Sequence, residues 1–180
     1  MNRRPVTLRY KSFKSRTAKD INVHPYFLKQ YNSRWYLLAA PDGYDNIATY
    51  ALDRILTVSL WKAKYRPSNV DFDELFADTI GVTLNPDDKV ERVVLKIAAK
   101  RYPYVETKPF SERQRIVKKE DDSVTISFPM KVNFELISEI LSFGSDIEVV
   151  EPLSLRKEIS RQIAILANNY LTVQKDCTPS

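Results

Sequence analysis

Through the first 66 residues, apolar and polar side chains alternate in short runs, the two-residue period of half-buried strands. Val6-Thr7-Leu8-Arg9-Tyr10 places Val6, Leu8 and Tyr10 on one face. A polar loop from Lys11 to Asp20 follows, and Ile21 to Lys29 reads as a second strand. Pro25 removes a ladder donor there, which predicts an edge position or a bulge beside His24. A short turn over Gln30 to Ser33 leads into the most strand-like run of the chain, with Trp35, Leu37 and Ala39 on one side and Arg34, Tyr36 and Leu38 on the other. Pro41-Asp42-Gly43 is a turn signal, a strand opens over Ile47 to Tyr50, and β character resumes from Leu52 to about Trp61. Five short strands joined by tight turns predict a small, strongly bent barrel.

After Pro67 the period lengthens. Asp71 to Gly81 has an acidic start, apolar residues at helical spacing and a closing glycine, and so predicts a short linker helix. Asn85-Pro86-Asp87-Asp88 marks a second boundary. Beyond it the pattern predicts a strand over Val90 to Ile97, a short helix from Ala98 to Tyr104 interrupted at Pro103, and a hairpin of Gln114–Lys119 and Val124–Val132 around an acidic turn. A helix from Phe134 to Phe143 stopped by Gly144, a strand over Ile147 to Val150 ended by Pro152, and an amphipathic helix from Leu153 to Tyr170 follow, the last with Leu155, Ile159, Ile163, Leu166 and Tyr170 near one stripe. The whole is an α+β chain: a small barrel over 1–66, a linker with a short helix over 67–89, a ferredoxin-like α+β unit over 90–175, and a tail at 176–180.

Charge adds an asymmetry to this picture. The net charge is +5, but residues 1–66 hold 13 Lys or Arg against four acids, whereas the other 114 residues are net −4. A basic front raises the local concentration of polyanions, nucleic acid among them. No apolar run approaches the roughly 20 residues of a membrane helix, and Cys177 is the sole cysteine, so a cytoplasmic protein without internal disulfides is expected. One histidine, one tail cysteine and three scattered glycines form no metal-ligand cluster, phosphate-cradling loop or activated nucleophile, so neither enzymatic activity nor a cofactor is expected. The acidic groups at Asp71/Asp73/Glu74, Asp87/Asp88 and Glu120–Asp122 sit at inferred helix starts or turns, where capping accounts for them.

Four ordered motifs then carry a resemblance. Val23-His24-Pro25-Tyr26-Phe27-Leu28, Arg34-Trp35-Tyr36-Leu37-Leu38-Ala39 and Tyr50-Ala51-Leu52-Asp53-Arg54-Ile55 resemble, in order and spacing, three strands of the WYL domain, named for Trp-Tyr-Leu. Leu141-Ser142-Phe143-Gly144 with Val149-Val150-Glu151-Pro152 and Leu155-Arg156 resembles the extension that follows many WYL domains. The resemblance implies an Sm-like or SH3-like barrel that senses a ligand inside bacterial transcription regulators, whose helix-turn-helix DNA reader is absent from this chain. It also implies a nucleic-acid fragment or nucleotide-like effector held by His24, Arg34, Tyr36, Tyr50 and Arg54, with the signal passed on through homodimer contacts. The chain departs from the family pattern at Ala48, where many members carry arginine, and this leaves ligand choice open. An arginine beside a phenol offers a phosphate fork next to a stacking surface, but Arg34 lying over the barrel and Tyr36 capping its core fit the same pattern. His24 is read as either titrating near neutrality or bonding a backbone carbonyl. A non-catalytic oligomerisation module without a small ligand, or a plain RNA-binding barrel, remains open beside the sensor reading.

Overall fold

A computed structural model describes residues 3–85 and 87–171, and the chain forms two compact units divided after Asp88. The architecture is mixed α+β, with two antiparallel sheets and four α-helices among the described residues. Cys177 and the segment 172–180 lie outside them.

The first unit is built on β1 (Val6–Tyr10), β2 (Lys19–Tyr31), β3 (Arg34–Pro41), β4 (Ala48–Ala51) and β5 (Ile55–Leu60), in the spatial order β4-β3-β2-β1-β5. Each neighbouring pair is antiparallel. The β2–β3 turn needs only Asn32 and Ser33, at φ of 46° and 60°. Two positive φ values in succession match the right-handed twist of the strands they join. Within β2 the register with β3 slips between Pro25 and Phe27, and the pairing with β1 ends at Val23, so the proline sits at a bulge beyond the end of one ladder, where its missing donor costs little. Leu8, Val23, Ala39 and Tyr50 form the buried centre, with Val6, Tyr10, Ile21, Leu37, Ala48 and Ile55 packed around them. The run Leu52–Arg54, expected to be extended, is instead a single 3-10 turn between β4 and β5. Such a turn swings Asp53 and Arg54 toward different neighbours.

The opposite face of β2 and β3 is covered by the chain that follows β5. The helix α1 (Phe72–Ala77) is capped by the Asp71 carboxylate, which accepts from the amides of Asp73 and Glu74. Phe72 stacks on Phe27 with centroids 5.0 Å apart. Around this contact Tyr65 donates its hydroxyl to the Pro25 carbonyl at 2.9 Å, and Thr49 donates to the Val82 carbonyl at 3.0 Å. Leu38 is thereby fully buried.

The second unit runs β6 (Val90–Ala98), α2 (Tyr102–Thr107), β7 (Arg115–Lys119), β8 (Ser123–Lys131), α3 (Phe134–Ser142), β9 (Ile147–Glu151) and α4 (Leu153–Leu171). Its sheet order is β7-β8-β6-β9, all antiparallel. Val93, Leu95 and Ile97 on β6 face the same way as their partners Phe128, Ile126 and Val124 on β8, and all are buried with Leu136 and Ile140 of α3. Pro103 does not interrupt a helix here. It sits in the first turn of α2, where its missing N–H has no partner to lose. The predicted stripe of α4 is buried only at Leu155 and Ile159, while Ile163, Leu166 and Tyr170 are exposed. On the same helix Arg161 grips Glu158 through two hydrogen bonds, and with help from Gln162 this holds the carboxyl pKa down to about 2.

Candidate nucleic-acid interface

In an antiparallel ladder, residues directly opposite one another present their side chains on the same face about 5 Å apart. Tyr31 lies opposite Arg34, and Lys29 lies opposite Tyr36. At the hairpin end of β2 and β3, two cations and two phenols therefore alternate in a two-by-two array. The slip after Pro25 is what makes this so, since one extra residue in β2 moves Lys29 and Tyr31 onto the face of Arg34 and Tyr36.

The array is anchored on both sides. The Lys29 ammonium sits 3.3 Å from the centroid of the Phe76 ring on α1, and burial there lowers its pKa from the usual lysine value. A cation already stripped of part of its water attracts an anion through a lower effective dielectric. Arg34 makes a loose ion pair with Asp53 at 3.7 Å, with both side chains half exposed. A pair of this kind contributes on the order of 0 to 1 kcal/mol, so it orients the guanidinium while leaving it open to a stronger anion.

The other expected site residues fall elsewhere. Arg54 turns away from Arg34 and lays its guanidinium carbon 3.6 Å from the centroid of the exposed Phe13 ring, with its Nε buried and without a hydrogen bond. Tyr50 lies opposite Leu37 on the inner face, 7% exposed, and meets Tyr10 edge-on at 5.3 Å; burial raises its pKa. His24 shares the outer face with the array but is 4% exposed beneath Trp61 and Tyr65. Its Nδ1 accepts a hydrogen bond from the backbone N–H of Arg66 at 3.1 Å, so it binds an amide and not a carbonyl. The Arg66 side chain continues outward to Asp45 at 2.8 Å and to the Tyr44 carbonyl. Among the five expected positions, the geometry brings only Arg34 and Tyr36 together. It adds Lys29 and Tyr31, which sequence reasoning passed over.

Desolvation first, and the nearby Arg66 charge second, lower the His24 pKa below its ordinary 6.5, against a smaller upward pull from Asp42. A folded-state pKa below the unfolded one means that the unfolded chain binds the proton more readily. The stability this imidazole contributes is complete above about pH 6.5 and declines as the pH falls through that value toward the folded-state pKa. Protonation also removes the lone pair that Arg66 uses. Acidification from pH 7.5 to 5.5 is therefore expected to lower the melting temperature of the wild type more than that of His24→Gln, with the Arg66 amide resonance moving in step with the imidazole.

Among the described residues no group of three His, Cys, Asp or Glu is placed to hold a metal ion, and no helix is long and apolar enough to cross a membrane. The WYL domain family matches residues 1–60 and the WCX domain family residues 89–167. No curated protein matches the chain. Two solved structures are similar over nearly its full length. Proteasome accessory factor B/C (PafBC) of Arthrobacter aurescens is 20% identical with a TM-score of 0.39 over 92% of this chain, and a CRISPR Cas-related protein is 14% identical with a TM-score of 0.57 over 94%. The chain spans 25% of the former and 48% of the latter.

Proposed function

The chain belongs to the WYL-domain family, a WYL domain followed by a WCX domain, and from that premise we propose that it is the ligand-sensing part of a bacterial transcriptional regulator. The first unit is read as an Sm-like or SH3-like small barrel, supported by five antiparallel strands in one sheet within fewer than 60 residues. The second is read as ferredoxin-like, because its β-α-β-β-α-β order and strand arrangement β9-β6-β8-β7 are those of a split βαβ unit. The effector is a single-stranded nucleic-acid fragment or a nucleotide-like anion, bound and not chemically altered. The observation that carries this reading is the array of Lys29, Tyr31, Arg34 and Tyr36. Alternating cations and rings match alternating phosphates and bases, with Arg34 as a phosphate fork and the phenols as stacking surfaces. Response to the effector then requires two arrangements of the protein with different affinity for it, passed on through homodimer contacts.

Fluorescence anisotropy with a short labelled single strand across a salt series tests the site. Lys29→Ala with Arg34→Ala is expected to weaken binding and to reduce the slope of log affinity against log salt by about 1.4, two phosphate contacts at about 0.7 each for a single strand. An unchanged slope defeats the assignment. Arg54→Ala, whose guanidinium is turned toward Phe13, is expected to leave that slope within error.

A further inference from the structure

The second unit holds a cleft of about 330 Å³ between α2 and α3, far along the chain from the basic array. Its apolar base is rigid, for Phe110 stacks on the buried Phe128 with rings 5.4 Å apart and parallel within 1°, and Phe143 leans on Phe110 at 5.9 Å. Tyr104 forms an exposed wall, with the Arg101 guanidinium carbon 5.2 Å from its ring centroid. This much is a slot for a flat ring. Its volume is at the lower end for small-molecule sites and suits one or two fused rings.

The charges at the rim decide which kind. Arg101 bonds Asp146 at 3.2 Å, and Lys100 bonds the same carboxylate at 2.9 Å. Lys108 lies 3.4 Å from Glu139. Both cations that line the cleft thus already face a carboxylate, Lys108 that of Glu139 and Arg101 that of Asp146, which it shares with Lys100. The hydroxyls are equally directional. Ser142 donates its hydrogen to the Glu139 carbonyl at 2.6 Å, and Thr107 donates to the Pro103 carbonyl at 3.0 Å or that of Tyr104 at 3.2 Å. What both oxygens still offer is acceptance. The Glu139 carboxylate, only 26% exposed, adds a stronger acceptor between them.

We infer that this cleft is a second ligand site, one that takes an uncharged, planar, amino-bearing heterocycle of nucleobase size, stacked against Tyr104 with its N–H groups directed at Glu139, Ser142 and Thr107. The site is independent of the phosphate-binding array in the first unit: it selects the base edge and is indifferent to a phosphate.

Titration of the isotope-labelled full chain with cytidine and adenosine, followed by amide chemical shifts, tests the inference. Saturable shifts are expected in 101–110 and 139–143, with uridine and inosine, which lack the exocyclic amine, binding at least about fivefold more weakly. Because stacking of a base on an aromatic ring is lost on truncation, Tyr104→Ala is expected to weaken cytidine binding about tenfold or more, while Tyr104→Phe keeps the stack and most of the affinity. Glu139→Gln is expected to erase the preference for cytidine over uridine. Since Tyr104 is exposed, its truncation leaves the core intact. Absence of saturable shifts in these two segments overturns the inference, as does equal affinity for all four nucleosides or indifference to Tyr104→Ala. The Lys29→Ala, Arg34→Ala protein separates the two readings. Cytidine binding that persists there supports the cleft, and binding that vanishes there assigns it to the first unit and overturns the cleft.

Discussion

Replacing Phe128 by alanine is expected to unfold the second unit near room temperature while leaving the first unit folded. The ring is 1% exposed, lies opposite Val93 across the β6–β8 ladder and forms the underside of the stack on Phe110. Removing a buried phenylalanine costs about 3 to 5 kcal/mol, combining lost transfer energy with the void left between a rigid sheet and the helices above it. A whole domain is stable by only about 5 to 15 kcal/mol, and a unit of some 90 residues belongs near the lower bound. The two tryptophans, Trp35 and Trp61, both lie in the first unit and report on it alone. In Phe128→Ala, far-ultraviolet circular dichroism at 25 °C is expected to lose the signal of α2 to α4, and tryptophan emission is expected to stay native. Loss of both signals together would show that the first unit does not stand without the second.

What could be read from the sequence follows from local rules. The period along the chain reports a local choice of backbone, and most strands and helices lie where it places them, while the short helix expected over Ala98–Tyr104 lies at Tyr102–Thr107 and the strand expected from Leu52 opens with a 3-10 turn. Local rules also pointed to an irregularity at Pro25, an edge position or a bulge, and the register slip to β3 falls there, just beyond the last residue of β2 that β1 pairs. Cross-strand neighbours were not legible. Tyr50 belonged to a resembling motif and was expected to hold the effector, yet its register opposite Leu37 turns it into the core beside Tyr10. Lys29 reads as the unremarkable end of a strand, and only the bulge four residues earlier places it beside Tyr36. A one-residue slip reverses every later side chain of the strand, and the alternation of a single sequence does not show on which residue the slip falls. Arg54, expected to hold the effector together with Arg34, lies elsewhere for a similar reason. A 3-10 turn in place of continuous strand sends it to Phe13 and sends its neighbour Asp53 to Arg34.

Arg34→Glu is expected to be the most damaging single change to ligand binding. The substitution removes the guanidinium fork, sets a carboxylate near Asp53, which Arg34 approaches to 3.7 Å, and presents negative charge to the phosphates the array is proposed to hold. Like charges brought together at an interface cost several kcal/mol, equivalent to a loss of affinity of about a hundredfold or more at low salt. Both Arg34 and Asp53 are half exposed, so the fold itself has little at stake and the melting temperature is expected to stay near that of the wild type. Salt distinguishes this electrostatic account from a steric one, because screening weakens the repulsion in the variant and the attraction in the wild type together, and the two affinities are expected to converge as salt rises. Asp53→Asn supplies the opposite sign. It frees Arg34 from the Asp53 carboxylate and is expected to raise affinity a few-fold at low salt. If Arg34→Glu binds a short single strand as tightly as the wild type at 50 mM salt, the array is not the ligand surface, whatever the second unit binds.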